Sequence, residues 1–236
     1  MKQYLPFLAI HILLVNSVVS AEPLRVFILA GQSNMQAYAL VGMLEHVGLK
    51  PVSQAAARND DTTTLRVFIF AGQSNMVGSD SKVRDIQRFP PFVGLDMPQD
   101  KVLFSYNMGR EEKRTSNGWV ALQPVDNIVG PELSFARRVS QGIEAPIAII
   151  KCAAGGTTLG GDWNPDSPSG FKLYPQALQL IQSSLAELDE RKIAYRIEGF
   201  MWHQGENDMF DKNFKTAYGD NLRNFLASWR RDLKVF

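Results

Sequence analysis

Leu65–Met76 reads LRVFIFAGQSNM, an apolar run of β-forming residues that ends on a glycine and a serine turn. A short apolar run without alternation marks a strand buried on both faces. Val67–Ala71 is therefore predicted as a buried strand, stopped by Gly72. Working outward, Ala145–Cys152 (APIAIIKC) reads the same way and runs into the loop Ala153–Gly161. Ile197–Trp202 is a third such strand, followed by His203-Gln204-Gly205-Glu206-Asn207-Asp208. Helical patterns lie between and after them. Pro131–Gly142 opens on a proline suited to a first turn. Tyr174–Leu188 carries Ala177, Leu178, Ile181, Leu185 and Leu188 on one stripe, and Phe214–Leu233 forms a last helix. Strands alternating with helices predict an α/β fold: three layers, with a parallel sheet between helices. Sites in such sheets lie at the carboxyl ends of the strands. All three polar motifs sit there.

The 236 residues, 45% hydrophobic and 21% charged, are those of an ordinary globular protein. A net charge of +1 gives no reason to expect nucleic acid or an anionic membrane as partner. The N-terminus carries Lys2, an apolar stretch from Tyr4 to Val15 and small residues up to Ala21, the layout of a secretory signal peptide. Residues 1–21 are thus expected to direct secretion or periplasmic export and to be removed, with no stable membrane insertion afterwards. Cys152 is the single cysteine, so no intramolecular disulfide forms. With no neighbouring base it is expected to be a buried core thiol, not a nucleophile.

The chain repeats itself once. Leu24–Met35 reads LRVFILAGQSNM and differs from Leu65–Met76 only at Leu29 versus Phe70. The flanking sequences do not repeat, which excludes a solenoid. Gln36–Lys50 has helical spacing, and Pro51–Thr64 has a linker composition. Residues 22–64 therefore read as a partly duplicated N-terminal segment and linker ahead of a domain at 65–236. Two copies cannot share one central strand, and Ser74 is favoured over Ser33 because its copy leads directly into the later motifs.

In the first motif, Gly72-Gln73-Ser74-Asn75-Met76, the backbone turns sharply after a strand and projects a hydroxyl. Met76 stands where the α/β-hydrolase elbow needs its second glycine, and no phosphate-loop lysine follows. In the second, Gly155 and Gly156 permit close backbone approach to a ligand. Their spacing does not match a dinucleotide loop. In the third, the Gln204 amide can donate to an oxyanion, while Glu206 and Asp208 can cap, orient a histidine or hold the loop. Each motif alone is equally compatible with a purely structural turn.

Together, and in this order, the motifs resemble those of the SGNH hydrolases. The match is closest to the branch of sialate O-acetylesterases and family six of the carbohydrate esterases. Gly130–Arg137 (GPELSFAR) and Gly118-Trp119 are similar to further stretches of that branch. The resemblance spans Leu65–Phe236 and implies a flavodoxin-like three-layer fold. It also implies Ser74 as nucleophile, and an oxyanion hole formed by the Ser74 N–H, Gly155 or Gly156, and Gln204. The implied substrate is an acetylated carbohydrate, hydrolysed through an acetyl-enzyme without metal or organic cofactor. Trp119 and Trp163 are open to two roles, stacking on a sugar ring or filling the core.

A serine nucleophile needs a base, usually a histidine held by a carboxylate. The chain has three histidines. His11 lies in the leader and His46 in the duplicated segment. His203 is adjacent to Gln204 on an extended segment, so the two side chains point to opposite faces. The Asp-x-x-His block that the resemblance implies is not found before Phe236. The expectation is a domain lacking its C-terminal strand or strands and helix, with Glu206 as an acid partner without its histidine and with little or no turnover. A non-catalytic carbohydrate-binding protein is the alternative, and a lipase with longer acyl preference a third.

Overall fold

The computed structural model describes residues 14–15, 25–28, 62–86, 88 and 90–233. The strands are β1 (Leu14–Val15), β2 (Arg25–Ile28), β3 (Leu65–Gly72), β4 (Gln99–Met108), β5 (Arg114–Thr115), β6 (Val120–Leu122), β7 (Ile147–Ala153) and β8 (Tyr195–His203). The α-helices are α1 (Ser74–Val77), α2 (Val83–Ile86), α3 (Pro131–Ser140), α4 (Leu173–Glu190) and α5 (Lys212–Leu233). Short 3-10 turns lie at Pro90–Phe92 and Asn207–Phe210.

One sheet runs β1-β2-β8-β3-β7-β4-β5, with β6 paired to β4. β3 is parallel to β7 and β8, and β7 is parallel to β4. Every residue of β3 and β7 is buried, as a central parallel strand requires. Leu65, Val67, Ile69 and Ala71 face α4 and α5 with Phe200, Phe225 and Trp229. Phe68 and Phe70 face the other layer with Met76, Leu133 and Ala136. The expected three-layer arrangement is present. The helices at Pro131, Leu173 and Lys212 start within a few residues of their expected positions. Five strands were not anticipated, β1, β2, β4, β5 and β6; the longest of them, β4, lies parallel beside β7 although it opens on Gln99-Asp100-Lys101. Among the described helices none is long and apolar enough to cross a membrane.

The two copies of the repeat take different places. Arg66–Gly72 occupies the centre of the sheet, whereas Arg25–Ile28 pairs with Gly199–Trp202 on the outer side of β8. Ser33, the helical pattern at 36–50 and the linker at 51–61 lie outside the described residues, as do His11 and His46.

Register sets the level of the site. Gly72 is opposite Ala153 on one side and His203 on the other, so three strands end in one row. A shift between Val67 and Phe68 leaves Glu198 as an extra residue in β8. Such an extra residue reverses the side-chain alternation beyond it. Phe200 and Trp202 consequently face α5, and Gln204 follows on that side. Gly72 has no room for a side chain, because a Cβ there would collide with the His203 carbonyl oxygen.

Beneath the serine turn lies a buried ion pair. Lys151 Nζ on β7 donates to Glu132 Oε2 at 2.6 Å and to the Val77 carbonyl at 3.2 Å. Neither side chain exposes more than 3% of its surface. Burial pushes the Lys151 ammonium down, and Glu132 opposes that shift. The pair ties the end of α1 to the start of α3. Lys151→Met would leave Glu132 buried and unpaired, which costs about 3–5 kcal/mol. Urea unfolding should show that loss, and adding Glu132→Leu to Lys151→Met should recover most of it. Cys152 is buried as expected, and burial pushes its thiol up to about 12. Iodoacetamide should leave it unmodified in the folded protein near about pH 8 and alkylate it rapidly in denaturant.

Candidate active site

Three loops leave the sheet from the row Gly72, Ala153 and His203, and the structure brings them together. Gln73 N–H donates to the His203 carbonyl at 3.0 Å, and Ala154 N–H donates to the Gly72 carbonyl at 3.1 Å. Ser74 then begins α1, where the first N–H groups have no intrahelical acceptor. Its side chain is partly exposed. A Cβ built on Gly155 would stand 3.5 Å from Ser74 Cβ, so the glycine loop passes beside the serine with space for about a methyl group between them. Gly156 follows with a φ of +73°, a conformation that suits glycine.

The loop after β7 is fixed by two carboxylates. Asp162 accepts from Thr158 N–H at 2.8 Å and from Phe171 N–H at 2.9 Å. Asp208, only 1% exposed, reaches across from the third loop. Its oxygens accept from Leu159 N–H at 2.8 Å, Gly160 N–H at 2.9 Å and Gln204 Nε2 at 2.6 Å. Of the roles open to Asp208 in the sequence, loop-holding is the one its contacts fit.

Gln204 is buried beside it. Its Nε2 donates both to Asp208 and to the Thr157 carbonyl at 2.9 Å. A hydrogen for an oxyanion therefore has to come from one of these two bonds. Tyr218 donates to the Gln204 backbone carbonyl at 2.8 Å. Burial is the largest cause raising the Tyr218 phenol well above its usual range, with Asp208 and Glu206 adding to it. Glu206 turns toward the first loop, where its Oε1 accepts from Asn75 Nδ2 at 2.5 Å. Its neighbour Asn207 donates to Gln73 Oε1. His203 is half-buried at the end of β8 and is the one histidine among the described residues.

The two tryptophans differ in exposure, Trp163 being buried and Trp119 partly exposed. Trp163 is fully buried, with Trp202 at 5.1 Å and Nε1 donating to Thr157 Oγ1 at 3.2 Å. Trp119 packs against the core and donates to the Ser184 carbonyl at 3.0 Å. Sequence reasoning missed the Gln73–Asn207 bond and the Asp208 brace, since both join residues far apart in the chain. It also missed Arg110, which carries no motif and stands beside Gly156.

With this geometry in place, comparison with known proteins is informative. The family described as carbohydrate esterase, sialic acid-specific acetylesterase, matches residues 64–236. The chain belongs to this family. A probable carbohydrate esterase of Arabidopsis thaliana is 31% identical over 110 residues, which are 45% of this chain and 38% of that protein. The chain thus aligns with well under half the length of that relative. A solved structure of an Arabidopsis thaliana protein superposes with a TM-score of 0.52 at 25% identity, covering 72% of this chain and 69% of that one. The crystal structure of NanS gives 0.54 at 19% identity, covering 73% of this chain and 63% of that one. NanS thus shares the fold.

The Asp208 brace yields a direct test in this esterase-family domain. Asp208→Ala removes the acceptor of the Leu159 and Gly160 N–H groups and of one Gln204 hydrogen, and the unfolding free energy should fall by about 2–4 kcal/mol. Amide exchange at Leu159 and Gly160 should accelerate more than exchange in β7. Unchanged protection at those two amides would show that the loop is held by other contacts.

Proposed function

We propose that this domain carries the nucleophile and oxyanion half of a carbohydrate O-acetylesterase site, with Ser74 as the nucleophile. The observation that carries this reading is the position of the Gly155 loop beside Ser74, at the strand ends of a domain of the carbohydrate esterase family. Ser74 Oγ would attack the acetyl carbonyl carbon and lose its proton to a base. The carbonyl oxygen would become an oxyanion facing the N–H groups of Ser74 and of Gly155 or Gly156. Gln204 would join them by exchanging its bond to Thr157, the weaker of its two, for one to the oxyanion. Collapse would expel the sugar oxygen, which takes a proton, and water would then release acetate from the acetyl-serine.

Glu206 is held by Asn75, within reach of the serine turn, as an acid partner should be. His203, by alternation along β8, faces away from Gln204. Full loss of a triad histidine costs on the order of a million-fold in turnover. The oxyanion hole and binding alone retain roughly a thousand-fold over water. Turnover by these 236 residues is accordingly proposed to be weak. The layout of residues 1–21 supports export as the setting.

Acetate release from an aryl acetate tests the reading, with and without added imidazole as a substitute base. The Ser74-dependent part, obtained by subtracting the Ser74→Ala rate, should be measurable and should rise with imidazole. Identical rates for the two proteins under both conditions would remove the catalytic reading and favour a non-catalytic carbohydrate binder.

A further inference from the structure

The buried glutamine of the third loop is gripped at both ends of its amide. At the nitrogen end, Gln204 Nε2 donates to Asp208 and to the Thr157 carbonyl. An amide nitrogen carries two hydrogens, so both are in use. At the oxygen end stands the Tyr218 hydroxyl, carried on α5. It donates to the Gln204 backbone carbonyl at 2.8 Å, and Gln204 Oε1 lies 3.3 Å from it as a second acceptor. Among the described residues no other donor is bonded to Oε1. One hydroxyl from a distant helix thus serves both oxygens of a single residue.

The neighbouring chain leaves room for that hydroxyl. Gly205 follows Gln204 with a φ of +149°, and a Cβ there would stand 3.1 Å from the Tyr218 oxygen. A side chain at this position would be strained and would crowd the phenol. The Tyr218 ring packs against the core cluster that contains Trp202 and Phe225, which gives the hydroxyl a fixed support. Burial raises the phenol well above its usual range, so it keeps its hydrogen in neutral solution.

The oxyanion role of Gln204 requires the amide to release Thr157 and turn one hydrogen toward Ser74. An amide held only at its nitrogen end would lose its orientation as that bond breaks. The shared hydroxyl permits a controlled turn, because its hydrogen can pass from the backbone carbonyl to Oε1 without leaving the residue. A bond accepted at Oε1 also polarises the amide and strengthens Nε2 as a donor.

We propose that Tyr218 is the positioning residue of the oxyanion site: it holds the oxygen end of the Gln204 amide so that the nitrogen end can turn to the oxyanion. The destination of that hydrogen rests on the esterase reading of Ser74. The hold of Tyr218 on Gln204 rests on the geometry alone.

Two measurements on Tyr218→Phe, which keeps the ring and removes the hydroxyl, test the proposal. The first is hydrogen exchange of the Gln204 side-chain amide, followed by NMR. Exchange should accelerate about 5- to 10-fold, as the loss of one net hydrogen bond implies, while the Leu159 and Gly160 amides that rest on Asp208 keep their rates. The second is a double-mutant cycle with Gln204→Met, read as Ser74-dependent acetate release in imidazole. Tyr218→Phe should lower kcat about 10-fold with KM unchanged while Gln204 is present, a part of what a whole oxyanion donor supplies. It should change kcat less than about 2-fold once Gln204 is replaced. Unchanged exchange at Gln204, equal acceleration at Leu159 and Gly160, or equal losses of kcat in both backgrounds would each overturn the assignment. Absence of any Ser74-dependent release would overturn its catalytic half together with the esterase reading, and the exchange rates would still decide whether Tyr218 holds Gln204.

Discussion

Asp208 is a carboxylate with almost no exposed surface, and its oxygens accept three N–H donors from two different loops. Two of those donors are backbone groups of the loop that follows β7. The third is the Gln204 side chain, at the end of β8. A buried carboxylate is tolerated only when hydrogen bonds replace its lost hydration. Here that requirement forces the loops together. Once Leu159 and Gly160 are held, the chain between Ala153 and them has little freedom, and Gly155 comes to rest beside Ser74. The same bond orients Gln204 with its amide toward Thr157. Removing the carboxylate would leave a sheet of the same order with its loops joined only by weaker neutral bonds such as Gln204–Thr157 and Asn207–Gln73 and by the exposed Asn75–Glu206 bond.

A second layer of constraint lies inside the sheet. The extra residue Glu198 in β8 sets which face Phe200, Trp202 and Gln204 occupy. The Lys151–Glu132 pair fixes α1 from below by holding its Val77 carbonyl. Serine, glycine loop and glutamine are thus placed by groups that touch no substrate. The rim is built by the same logic. Asp162 sets Phe171, and Phe171 sets Arg110.

What the sequence made legible was local. β3, β7 and β8 stood out because burial on both faces leaves an unbroken apolar run. The three polar motifs stood out because each follows such a run. β4 was hidden because its charged start and partly exposed residues give a broken pattern. Asp208 could be narrowed only to capping, orienting or bracing, since its partners Leu159 and Gly160 are nearly fifty residues away. Trp119 and Trp163 read equally as sugar platforms and core. Full burial and the Thr157 bond place Trp163 in the core, whereas Trp119 is partly buried against it and donates to Ser184. Arg110 had no motif, and only the folded turn brings it to Gly156.

The central claim is that Ser74, Gly155 and the third loop act as one acyl-transfer site. A crystal structure of the protein after reaction with a methylphosphonate ester tests it most directly. The account predicts phosphorus bonded to Ser74 Oγ, with its free oxygen within hydrogen-bond distance of the N–H groups of Ser74 and Gly155 or Gly156. A phosphonate on another residue, or a Ser74 adduct whose oxygen points away from the glycine loop, would contradict it.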